Sequence, residues 1–276
     1  MRRHGSLTSP AGLGLHGHAC WLYADDLEFH AGLLDFFADG VELGQRLLYA
    51  GTGAVEKLRA DLAGLPGLDD LLGAGALRIM PLESAYDSGP TGTDAMAQLT
   101  MYAAATQTAL ADGYSGLRVV GDATPLVLDP AHWDAHTHWE CVADRFMARN
   151  PMAALCCYDR RALPDGILSD LACVHRSSSG KPSLAPFRLF AGREGLSLAG
   201  EVDCFSADSL RRLLALATPA DGDLVIELDD LEFIDHHGVL AVADHARALA
   251  DDGRALRLRG APRSFDRLNT LLEVGL

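Results

Sequence analysis

The chain contains no Cys-x-x-Cys pair, no Lys/Arg cluster wide enough to follow a nucleic-acid groove, and no apolar run approaching the ~18 residues of a membrane span. The six cysteines, Cys20, Cys141, Cys156, Cys157, Cys173 and Cys204, show no bridging pattern, and adjacent Cys156 and Cys157 would close only a strained ring. This usage reads as a reduced, cytoplasmic chain. A net charge of -15 repels phosphate backbones, so direct binding to nucleic acid is not expected. Gly12, Gly14, His16 and His18 interrupt the apolar stretch that a signal peptide would need after Met1-Arg2-Arg3-His4. What is present is 49% hydrophobic content over 276 residues, enough for two ordinary cores.

From Cys20 to His175 apolar strands alternate with helical patterns, the order of an open, mostly parallel α/β sheet. Strands are expected at 20–23, 46–50, 76–80, 117–120 and 153–158. In the first helix Asp25 is the cap, Glu28 completes a capping box, Leu27, Ala31, Leu34 and Ala38 form the apolar stripe, and Gly40 ends it. Residues 176–186, with Ser177-Ser178-Ser179-Gly180, break all periodicity and read as a flexible linker between residues 1–175 and 187–276. The second block is smaller and mixed: strand 196–199, a helix after Ser206 with Leu210, Leu213, Leu214 and Ala217 inward, strand 224–228, a helix capped by Asp235, strand 255–258 and a short last helix.

Leu224 to Leu240 runs from an apolar strand through Phe233-Ile234-Asp235-His236-His237-Gly238 into that capped helix, and Gly200-Glu201-Val202-Asp203 follows the first central strand. The pattern resembles STAS domains, the anti-sigma-factor antagonists. In that family the turn usually reads Asp-Ser-Ser-Gly, and the serine before the glycine is phosphorylated by an anti-sigma kinase. His237 stands there, so the resemblance implies a docking surface at Asp235, His236, His237 and Gly238 without the switch hydroxyl. Three readings of His237 stand open: an inert side chain that leaves docking permanently competent, a proton sensor, or phosphohistidine chemistry.

The first block resembles the MEDS sensory domain through His18-Ala19-Cys20-Trp21-Leu22-Tyr23, Phe37 to Tyr49, and Leu155-Cys156-Cys157-Tyr158-Asp159 followed by His175. The resemblance implies a fold like RecA-type and circadian-clock (KaiC-like) ATPases. ATPase chemistry is not expected, because Gly51-Thr52-Gly53-Ala54-Val55-Glu56-Lys57-Leu58 puts Glu56 where a phosphate loop needs glycine and Leu58 where it needs a hydroxyl.

Small molecules bind open α/β sheets outside the carboxyl ends of the strands, which here present Tyr23, Gly51, Glu83, Asp122 and Tyr158. Arg118, Glu140 and Tyr158 are candidate polar partners there, or else simply close turns. His132, His136 and Glu140 share a helical face at i, i+4, i+8 spacing; this suits a divalent metal, and an exposed polar face explains it as well. His18, Cys20, Cys157 and His175 could converge to bind zinc or report redox state, although a buried Cys usually acts as a small hydrophobe.

The expectation is a cytoplasmic regulator with no catalytic residues, no assigned metal and no cofactor. A MEDS-like block senses a small ligand or redox state through His18, Tyr23, Arg118, Glu140, Cys157 and Tyr158, and controls a STAS-like block that binds a histidine-kinase-like anti-sigma factor. The alternatives are a metal- or nucleotide-dependent enzyme on a RecA-like sheet, and a scaffold subunit of a stress-signalling complex.

Overall fold

A computed structural model describes residues 4–86, 88–89 and 92–276. In chain order the first block runs β1 (Gly5–Ser6), β2 (His18–Tyr23), α1 (Asp26–Glu42), β3 (Arg46–Gly51), α2 (Val55–Asp61), α3 (Leu68–Gly73), β4 (Leu77–Pro81) and α4 (Leu82–Ala85). The short pair β5 (Ser88–Gly89) and β6 (Gly92–Thr93) leads to α5 (Ala95–Ala111), β7 (Leu117–Asp122), α6 (Trp133–Met147), β8 (Met152–Asp159), α7 (Asp165–Val174) and β9 (Ser177–Ser178). Seven of these strands form one parallel sheet in the order β1-β9-β2-β8-β7-β3-β4. Helices cover both of its faces, which is why its central strands read as unbroken apolar runs.

The two-residue period of a strand sorts the core. Cys20, Leu22, Ala154, Cys156 and Tyr158 face the layer of α5, α6 and α7. Ala19, Trp21, Tyr23, Ala153, Leu155 and Cys157 face α1 and α2. In α1 the buried stripe is Phe29, Leu33, Phe36 and Phe37, with Gly32 and Gly40 between, while Leu27 is 82% exposed. The expected stripe is thus turned about half-way round the helix, because burying phenylalanine rings removes more apolar area from water than burying alanines. Gly40 does not end the helix, which continues to Glu42; a Cβ at Gly40 would lie 2.5 Å from Arg118 Cδ and 2.6 Å from Leu47 Cδ2.

The second block contains β10 (Phe187–Ala191), β11 (Leu196–Val202), α8 (Ala207–Ala217), β12 (Leu224–Glu227), β13 (Leu231–Ile234), α9 (His236–Asp251), β14 (Leu256–Arg259) and α10 (Arg263–Leu272). Antiparallel β10 opens its five-stranded sheet, and β11 is flanked in parallel by β12 at its start and β13 at its end. The α8 stripe Leu210, Leu213, Leu214 and Ala217 is buried as expected.

The segment expected to be a flexible linker is packed instead. Ser177 and Ser178 form β9, between β1 and β2, and the Ser179 hydroxyl accepts from Leu22 N at 2.7 Å and donates to Leu22 O at 3.2 Å. Arg188, buried, donates to Ala172 O, His175 O and Ser178 Oγ. A serine-rich composition signals missing apolar side chains, but its backbone and hydroxyls can still pair with a sheet edge. The blocks also share packing: Cys141 of α6, with Cys173 and Val174 of α7, belongs to the apolar core of the second block. His138 Nδ1 meets Leu216 O at 2.7 Å, Arg145 donates to Ala217 O at 2.5 Å, and Arg212 pairs with Asp134 and Asp170. α6 and α7 therefore sit between the two sheets.

Candidate functional site

Parallel pairing of β2 with β8 sets Cys20 beside Cys156 and His18 beside Ala154, so His18 and Cys156 reach the same layer. α6 lies over them with His136, Glu140 and Asp144 at successive turns of its buried face, and His175 closes the group from the end of α7. His18, Cys156, His136, Glu140, Asp144, His175 and Tyr158 are all buried.

His18 Nε2 donates to Glu140 Oε2 at 3.1 Å and Nδ1 donates to Asp144 Oδ1 at 3.2 Å. With both carboxylates ionised, each can only accept, and both ring nitrogens of His18 then carry hydrogen as an imidazolium. Burial by itself lowers the His18 pKa, but the hydrogen bonds and charges of Asp144 and Glu140 outweigh it and raise the value to about 9. Glu140 Oε1 accepts from Tyr158 at 2.6 Å and lies 3.2 Å from His136 Nε2. Glu140 Oε2 lies 3.4 Å from both His175 Nε2 and Cys156 Sγ. Burial opposes ionisation of Glu140, yet His175, His136 and His18 together hold it well below the usual carboxylate range. Burial and the adjacent His18 charge lower the His175 pKa, whereas burial and then Glu140 push the Cys156 thiol well up.

Asp144 extends the network out of the first block: its Oδ2 accepts from Ala191 N of β10 at 2.6 Å. Glu140, His18, Asp144 and Ala191 thus make one buried line of hydrogen bonds from the core of one sheet to the backbone of the other.

A pH dependence follows with a definite sign. The His18 value of about 9 lies above its ordinary 6.5, so the stabilisation by its charge is complete below pH 6.5 and is lost as pH rises through 9. With a chelator present, Tm is expected to fall as the buffer is taken from pH 6.5 to 9. A flat profile across that interval would mean that His18 is neutral. The buried thiols add to the fall only at the alkaline end, since a free cysteine ionises near ~8.5.

Of the residues expected to sense a ligand, the fold brings together His18, Glu140 and Tyr158, with His175 beside them. Cys157 is one position out of phase and points into the opposite layer; Cys156 takes its place. Cys20 shares the face of the cluster without joining its close donors. Tyr23 is also on the opposite face, 3.3 Å from Asp122 at the carboxyl end of the sheet. Arg118 is fully buried beside α1, donating to Phe36 O, Leu13 O, Gln45 Oε1 and Asp39 Oδ2. It is occupied with main-chain and side-chain acceptors and does not reach the cluster. His136 and Glu140 are in contact as their spacing suggests, but His132 faces a separate groove of about 700 Å³ at the carboxyl edge, with Thr52, Glu83, Tyr86, Gln98 and Met101. The polar cluster itself lies under α6 and α7 rather than at that edge. Sequence reasoning missed Asp144, although it continues the His136, Glu140 spacing by one more turn.

In the second block Asp235 Oδ1 accepts from His237 N at 2.8 Å and Gly238 N at 3.1 Å, capping α9 as expected. A Cβ on Gly238 would lie 2.6 Å from Ile234 and 2.8 Å from Val202, so glycine is required by packing. The tip is open: His236 is exposed, with its ring 3.9 Å from that of half-exposed His237, and Phe233 and Phe205 are 49% and 91% exposed.

The fold and this pair of sites define a two-domain α/β protein, a seven-stranded parallel sheet joined to a small mixed sheet with an exposed helix start. Residues 17–176 match the family described as MEDS, MEthanogen/methylotroph, DcmR Sensory domain, and residues 190–275 match the family described as Mlab, STAS domain. The chain belongs to the MEDS family and carries a STAS domain behind its sensory domain. Among solved structures it is similar to the flagellar accessory protein FlaH from Methanocaldococcus jannaschii, with 11% identity over 67% of this chain and 76% of that one and a TM-score of 0.36. No curated protein matches the chain. Among the described residues no helix is long and apolar enough to cross a membrane.

Proposed function

We propose that this is a signalling protein in which a stimulus received by the MEDS domain controls docking of the STAS domain to an anti-sigma factor of the histidine-kinase-like type. In this reading the partner covers Asp235, His236, His237 and Gly238 with the neighbouring Phe233 and Phe205. His237 offers no hydroxyl to a serine kinase, so control arrives from the attached domain and reaches the transcription machinery through the released sigma factor. The observation that carries the reading is the buried line from Glu140 through His18 and Asp144 to Ala191, which makes the polar state of the sensory core part of the packing of the STAS sheet. The protein acts by binding, and no turnover is assigned to it.

The test is a pull-down of the full chain with bacterial anti-sigma kinases, with and without ATP. Binding is expected to be the same in both, and His237→Ser is expected to make it ATP-sensitive. Release of the unaltered chain on adding ATP would overturn the argument from His237, and failure to capture any such kinase would overturn the partner.

A further inference from the structure

We propose that His18, Glu140, Cys156 and His175 form a site for a divalent transition-metal ion of the zinc class. The site stands on its own geometry and needs no docking partner. One donor atom from each residue lies within 4.8 Å of every other. The closest pairs are His18 Nε2 to Glu140 Oε2 at 3.1 Å, Glu140 Oε2 to His175 Nε2 and to Cys156 Sγ at 3.4 Å, and Cys156 Sγ to His18 Nε2 at 3.6 Å. Metal–ligand bonds of about 2.0 to 2.3 Å set tetrahedral neighbours roughly 3.3 to 3.7 Å apart, so these four contacts are already close to that separation, and the two remaining pairs lie within 4.8 Å. Two imidazoles, a thiolate and a carboxylate favour zinc over magnesium or calcium, which take oxygen ligands.

Two further observations point to an ion rather than to a hydrogen-bonded cluster alone. The first is His175. Its Nδ1 lies 2.7 Å from Leu171 O, a carbonyl that can only accept, so Nδ1 carries a hydrogen and Nε2 is the atom left to bind an ion. That buried Nε2 makes no hydrogen bond among the described residues and lies 3.4 Å from Glu140 Oε2, so an ion placed between them would bond to both atoms. The second is the set of supporting contacts. His18 Nδ1 donates to Asp144, His175 Nδ1 to Leu171 O, and the other oxygen of Glu140 accepts from Tyr158. Outer partners of this kind fix the tautomer and direction of metal ligands. On binding, Cys156 and the Nε2 of His18 give up their protons to solvent. The ligands come from β2, α6, β8 and the end of α7, so the ion would fasten to the sensory sheet the two helices that carry the STAS domain.

The full chain, purified from zinc-supplemented medium, is expected to hold one zinc per molecule by native mass spectrometry and elemental analysis. Cobalt substitution should give a sulfur-to-cobalt charge-transfer band. Cys156→Ser should abolish that band, while Cys157→Ser, on the other face of the same strand, should keep it. Asp144→Asn should weaken zinc affinity about 10- to 100-fold. If Cys156→Ser does not fold, His175→Gln serves, with a loss of metal content as the readout. A folded chain that takes up neither zinc nor cobalt in stoichiometric amount overturns the site, as does a cobalt spectrum without a sulfur band.

Discussion

Replacing Asp144 by alanine is expected to lower the stability of the chain by about 3 to 5 kcal/mol, seen as a fall in Tm of roughly 10 °C. The size follows from what the substitution strands. His18 keeps a charge held against Glu140 but loses the acceptor of its Nδ1–H, and Ala191 N, buried at the junction of the two domains, loses its acceptor as well. A buried charge left without a partner costs far more than a salt bridge at the surface. The pair can be separated from the rest by a cycle: Asp144→Ala and His18→Leu together should cost less than their sum, because the second change removes the stranded charge. Strict additivity of the two would show that they do not interact. On the proposed function, the same Asp144→Ala protein should also bind the anti-sigma factor without regard to the state of the sensory domain, since the line to β10 is cut.

Arg118→Ala is expected to be comparably damaging, again about 3 to 5 kcal/mol, without any effect that depends on a ligand. The guanidinium donates to Phe36 O at 2.6 Å, Leu13 O and Gln45 Oε1 at 2.9 Å and Asp39 at 3.3 Å, and it lies 3.8 Å from the centre of the Phe36 ring. Burial lowers its pKa to about 10, with Asp39 opposing, so it remains charged at neutral pH. Arg118→Met keeps most of the stem and should recover the part of the loss due to packing against Gly40 and Leu47, leaving the unsatisfied acceptors as the remainder. Equal Tm values for Arg118→Ala and the unaltered chain would return Arg118 to the list of ligand-facing residues.

These two residues illustrate where a linear reading stops. Arg118, in the strand 117–122, shows only an arginine between apolar neighbours, and whether it meets solvent, a ligand or main-chain carbonyls depends on what packs over that face. Asp144 is one of three acids on an amphipathic helix, and its second oxygen finds Ala191, 47 positions later, only because β10 crosses there. Local capping, by contrast, was legible: Asp25 and Asp235 accept from the amides that their sequence positions indicate, since a cap involves only neighbours in the chain.

The order of the main strands and helices, the two blocks and their family likenesses, the caps at Asp25 and Asp235, and the lack of a hydroxyl at His237 were determined by the sequence by itself, because each rests on periodicity or on residues adjacent in the chain. The phase of each strand and helix was left to the tertiary structure. It put Cys156 rather than Cys157 beside His18, turned Leu27 outward in favour of Phe29, and drew the serines of the connecting segment into the sheet. The reason is that burial of whole faces is decided by competition between all the side chains that could fill the same layer, and by hydrogen-bond partners that are remote along the chain.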